Sequence, residues 1–152
     1  MTNQEMVDLY KALQNCGQLQ GFKFAYAVTK NLDKLEVEIK KLQEKLQPTE
    51  ELKKYDSERI ALAKKHSNKN EQGEPQISNG QYDIKDKDKF NKELEKLMTK
   101  YKKHIDNYKK QLDEYNKLLK EGSCFEPHKI KKEDIPDSIT VDLYAGIKSI
   151  VE

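Results

Sequence analysis

From Val28 to Leu46 the apolar side chains Val28, Leu32, Leu35, Ile39, Leu42 and Leu46 recur at steps of 4, 3, 4, 3 and 4 residues. A helix turning every ~3.6 residues gathers those positions into one stripe, and a stripe of that width needs another helix against it. Ala25 extends it toward the N-terminus. A second and longer register runs Phe90, Leu94, Leu97, Tyr101, Ile105, Tyr108, Leu112, Tyr115 and Leu119. With Asp86 or Asp88 as cap and Gly122 as stop, it predicts one continuous rod of roughly 50 Å at ~1.5 Å per residue. Two such stripes restrict the fold to rods packed side by side. Charged residues make up 37% and hydrophobic ones 35%, with no tryptophan, which is material for narrow seams and not for a thick core.

Punctuation residues divide the remainder. Thr2 and Glu5 have capping-box spacing ahead of a helix whose face is Met6, Leu9, Tyr10 and Leu13, and Gly17 stops it. Pro48 and Thr49 end the second helix and open a third, which reaches His66. Its inward face is less sharply drawn: Leu52, Tyr55, Arg59 or Ile60, and Leu62 or Ala63. Then "GEPQISNGQYDI" (73–84) breaks the helical pattern. Asn79-Gly80 is the preferred pair for a two-residue type I′ turn, because both positions need positive φ. The arms are residues 75–78 and 81–84, and a hairpin this small needs a helix end or a partner to lean on. Such an insert turns the chain through a U, so that the fourth helix runs back beside helices two and three. Beyond Gly122, residues 123–130 read as extended and 133–140 as a turn-rich link. Thr140 caps a short last helix with face Leu143, Ile147 and Ile150, expected to dock on the first helix.

The expected fold is therefore mainly α: an elongated antiparallel helical bundle or coiled-coil hairpin with a small β-hairpin insert. An extended C-terminal segment and a short helix complete it. The expected division is residues 1–122 for the bundle, with the insert at about 72–86, and 123–152 for the tail.

Charge excludes several functions. Lys+Arg 29 against Asp+Glu 27 leaves +2, with the signs interleaved. A nucleic-acid binder generally gathers a larger excess on one face. The N-terminal residues lack a signal-peptide pattern and no apolar run approaches the ~20 residues of a membrane span. Two cysteines, Cys16 and Cys124, make no disulfide framework. A soluble cytosolic protein with reduced thiols is expected.

Catalysis needs convergent groups, and His66, His104 and His128 lie in separate elements. Cys124 and His128 offer two ligands where zinc takes four. Asp83, Asp86 and Asp88 resemble a fragment of a calcium loop without its glycine and closing glutamate, and helix capping accounts for them better. No phosphate loop, zincin motif or nucleophile elbow is present. The reading is a non-enzyme without cofactor or metal.

The tail "HKIKKEDIPDSITVDLYAGIKSIVE", the insert "GEPQISNGQYDIKDKDKFNKELEKL" and the early "YKALQNCGQLQGFKFAYAVTKNL" together resemble a family of small proteins from phages and prophages of low-GC Gram-positive bacteria, described only as a domain of unknown function. The resemblance spans most of the chain and brings no catalytic residues with it. It implies a phage origin and residence in the bacterial host cytoplasm, or else in the virion.

Two classes of partner follow. A protein partner, host or phage, would dock on the hairpin through Ile77, Asn79, Gly80, Tyr82 and Ile84. Alternatively, nucleic acid would use the lysine-rich flank of the fourth helix: Lys100, Lys102, Lys103, Lys109 and Lys110, with Tyr101, Tyr108 and Tyr115 offering stacking faces. The tyrosines share the leucine seam, however, which favours packing. The long seams also offer a route to a homodimer, and no membrane contact is expected.

Overall fold

A computed structural model describes residues 1–152. It is mainly helical: α1 (Asn3–Asn15), α2 (Phe22–Glu44), α3 (Glu50–His66), β1 (Ile77–Ser78), β2 (Gln81–Tyr82), α4 (Lys87–Lys100), α5 (Lys102–Lys120) and α6 (Val141–Ile147). Short 3₁₀ turns cover Lys132–Asp134 and Lys148–Ile150. The helices start where the caps predict. Thr2 accepts from the Glu5 amide at 3.1 Å while the Glu5 carboxylate takes the Thr2 amide at 2.7 Å. Thr49, Asp86 and Thr140 cap α3, α4 and α6 through Leu52, Lys89 and Leu143.

The chain divides into two units, residues 1–46 with 112–152, and residues 47–111. In the first, Met6, Leu9 and Leu13 of α1 join Phe24, Leu35 and Ile39 of α2 in the main core. Helix α6 crosses α1 so closely that a Cβ on Gly146 would stand 2.6 Å from that of Ala12. The extended segment after α5 contributes Phe125 and Ile130, and Ile130 forms a parallel bridge to Val151. Asn3 joins the start of α1 to the end of α5: its amide donates to Glu121 O at 2.9 Å and its side chain to Leu118 O at 2.8 Å.

The second unit pairs α3 with α4 and carries the insert between them. Its only buried side chains are Tyr101 and Ser67. Leu52, Tyr55, Ile60, Leu62 and Ala63 are half-covered, and Arg59 is exposed.

Two expectations need correction. The single rod from Lys87 to Lys120 is two helices, interrupted at Tyr101 (φ −104°, ψ 11°). There the His104 amide bonds Tyr101 O at 3.0 Å, a 3₁₀ step in the α-helical ladder. No proline or glycine causes it. Tyr101 instead sits buried with its hydroxyl donating to Glu58 at 2.7 Å and its ring 5.8 Å from Tyr55. The second correction is at the start of α2. Ala25 is exposed, and Phe24, Ala27 and Asn31 form the covered face with Val28.

Candidate functional site

The hairpin rests on more backbone pairing than its sequence suggests. At its base the Lys85 amide donates to His66 O at 2.8 Å, and Ser67 bridges Ile84. Asn68 lies between the two arms: its amide donates to Asp83 O at 2.7 Å while its own carbonyl accepts from the Gln76 amide at 2.8 Å. Its side chain donates to the Asp83 carboxylate at 2.8 Å. Asn70 folds the outer loop by accepting from the Gln72 and Glu74 amides at 3.1 and 2.8 Å, and Gly73 takes φ 79° there. Residues 67–70, read from sequence as a polar run, thus serve as a third, strand-like arm. The signal was present in Asn70, whose side-chain oxygen accepts from two backbone amides as a carbonyl would.

At the tip, Ile77 pairs across from Tyr82 and Ser78 from Gln81. Asn79 and Gly80 take φ 51° and 75°, the positive values of the expected turn. Ile77 is 59% exposed. Of the five residues assigned to this surface, Ile77, Asn79 and Gly80 are displayed. Tyr82 and Ile84 are half-buried and line a groove of about 370 Å³ with Phe90 and Asn91 of α4. Ile84 belongs to the base of the hairpin.

Below the insert, Glu93 stands between Lys65 Nζ at 2.9 Å and His66 Nε2 at 3.2 Å. The histidine approach is a close contact without hydrogen-bond alignment, since Nε2 is buried and has no bonded partner. The Lys65 hydrogen bond first, then His66, holds the Glu93 carboxyl below its ordinary value. The His66 ring packs edge-on against Phe90 at 6.1 Å, so this histidine is a strut under the hairpin.

On the lysine flank, Lys100 is engaged: its ammonium lies 3.0 Å from both Glu58 oxygens and 4.8 Å from the Tyr101 ring centre. Lys102, Lys103, Lys109 and Lys110 are exposed. Among the tyrosines, Tyr101 is buried and Tyr108 and Tyr115 are half-buried, so no open ladder of stacking faces runs along the helix.

The remaining reactive side chains do not converge. No three His, Cys, Asp or Glu side chains group as metal ligands. Burial pushes the Cys16 thiol pKa up, and its Sγ donates to Ala12 O at 3.4 Å. Cys124 is exposed. The His128 backbone is clasped by Asn31 and its ring meets Tyr26 edge-on at 5.9 Å. No helix is long and apolar enough to cross a membrane. Compared with protein-family models, curated proteins and solved structures, the chain matches none.

Proposed function

We propose that the protein is a non-catalytic protein–protein interaction module of phage origin that captures a host bacterial protein through the tip of its hairpin. The observation that carries this reading is Ile77: a large apolar side chain, 59% exposed, on the arm of a hairpin tied down to the end of α3. An exposed apolar residue on a braced hairpin supplies an anchor at little ordering cost, which is the economy of a hot spot. The partner is a defence or regulatory factor that the module blocks, acting in the host cytoplasm. A role in phage particle assembly is the runner-up, with the same surface facing a phage protein.

The experiment is an affinity capture from bacterial host lysate, with and without phage infection, followed by measured binding of the recovered partner to wild type and to the Ile77→Asp/Tyr82→Asp double variant. Loss of binding with unchanged far-UV circular dichroism supports the tip. Unchanged binding removes it. The exposed Lys102, Lys103, Lys109 and Lys110 favour a second reading, nucleic-acid binding, whose affinity would fall steeply with salt. Absence of retardation in a low-salt gel shift dismisses that reading.

A further inference from the structure

One turn past the break at Tyr101, the flank of the second unit opens into a cleft of about 570 Å³. Leu52 and Tyr55 of α3, Pro48 just before it, and Ile105 and Tyr108 of α5 form an apolar floor. Lys53, Asp56, Ser57 and Lys109 make the rim. Two of the three rim charges are neutralised along their own helix: Lys53 by Glu50 at 2.7 Å and Asp56 by Arg59 at 2.6 Å. Lys109 enters none of the protein's ion pairs. The one uncompensated charge over this apolar floor is therefore positive.

We infer that the cleft is a binding site for a small amphipathic carboxylate, an aliphatic or aryl-alkyl monoacid. Its hydrocarbon body lies on Leu52, Tyr55, Ile105 and Tyr108, and its carboxylate meets the Lys109 ammonium. The volume falls in the range of small-molecule pockets, which are mostly apolar with few charged groups at the edge. A single ammonium matches a monoanion; a phosphate dianion calls for several convergent donors, and the rim has only one free cation. The site stands independently of the hairpin, so either reading can fail alone.

The test is a ¹H–¹⁵N NMR titration with octanoate, kept below its micellar range, and with octanol as the uncharged control. Saturable octanoate shifts centred on the amides of Leu52, Tyr55, Ile105, Tyr108 and Lys109 are expected. Lys109→Gln, at an exposed position that spares the fold, should weaken octanoate about five-fold and leave octanol unchanged. Unsaturable shifts, shifts centred on the exposed aromatic pair Phe22 and Tyr26, or equal octanoate affinity in Lys109→Gln would each overturn the assignment.

Discussion

Asn31 is fully buried in α2 between Val28 and Leu35, where a polar side chain survives only if its hydrogen bonds are met. They are. Its Nδ2 donates to Ala27 O at 3.0 Å and to His128 O at 2.8 Å, and its Oδ1 accepts from the His128 amide at 2.8 Å. One side chain thereby serves both backbone groups of His128 and fixes the extended tail on α2. Replacing it by leucine keeps the branched outline and leaves the His128 amide and carbonyl without their partner. Asn31→Leu should cost about 1–3 kcal/mol in urea unfolding. The same variant should lose hydrogen-exchange protection at the His128 amide ahead of the α1 amides. If His128 stays protected, the clasp is not what holds the tail. Sequence reading passes over Asn31 because periodicity counts apolar residues, and its partner is 97 positions away.

At the scale of elements, the caps and stripes were legible because each depends on residues within a few positions of one another. Thr2 with Glu5, Thr49 with Leu52 and the Asn79-Gly80 turn are local bargains between side chain and backbone. The break at Tyr101 is not local. It carries the same apolar spacing as the rest of its register, and only Glu58, 43 residues earlier, reveals that its hydroxyl has a fixed partner. The Tyr101 hydroxyl first, then Lys100, holds the Glu58 carboxyl below the ordinary 4.5. A depressed carboxyl contributes stability that is present above its unfolded value and lost as pH falls through its folded one. Tyr101→Phe should therefore move the Glu58 titration, followed by carboxyl-carbon NMR, upward toward 4.5, and flatten the acid side of the stability profile below that pH. Glu58 is solvent-exposed, so the change in stability is small and the titration is the sharper measurement. A Glu58 midpoint indifferent to the substitution would mean that Lys100 alone sets it.

For the molecule as a whole, the same stripe chemistry yields two unlike outcomes. Heptad spacing announces that a face will be covered and says nothing about how completely, because that depends on how many elements converge on it. Helix α1, itself backed by α6, and the extended tail both pack on α2, and Leu35 reaches 0% exposure. Against α3 stands α4, and neither helix buries a single residue fully. Stability should follow burial, at roughly 25 cal/mol per Å² of apolar surface removed from water. Opening free energies within one chain range from near zero up to the global value, with the lowest where apolar contacts are fewest. Native-state hydrogen exchange in low denaturant should accordingly separate the two units. The amides of Leu35 and Ile39 exchange only with global unfolding, whereas those of Leu52 to Leu62 exchange through an earlier, partial opening with a smaller denaturant slope. Octanoate, if it occupies the cleft on Leu52 and Tyr55, should slow exchange in α3 and leave α2 unchanged. Identical opening energies and slopes for the two sets of amides would show that thin coverage of α3 does not make it the weaker element.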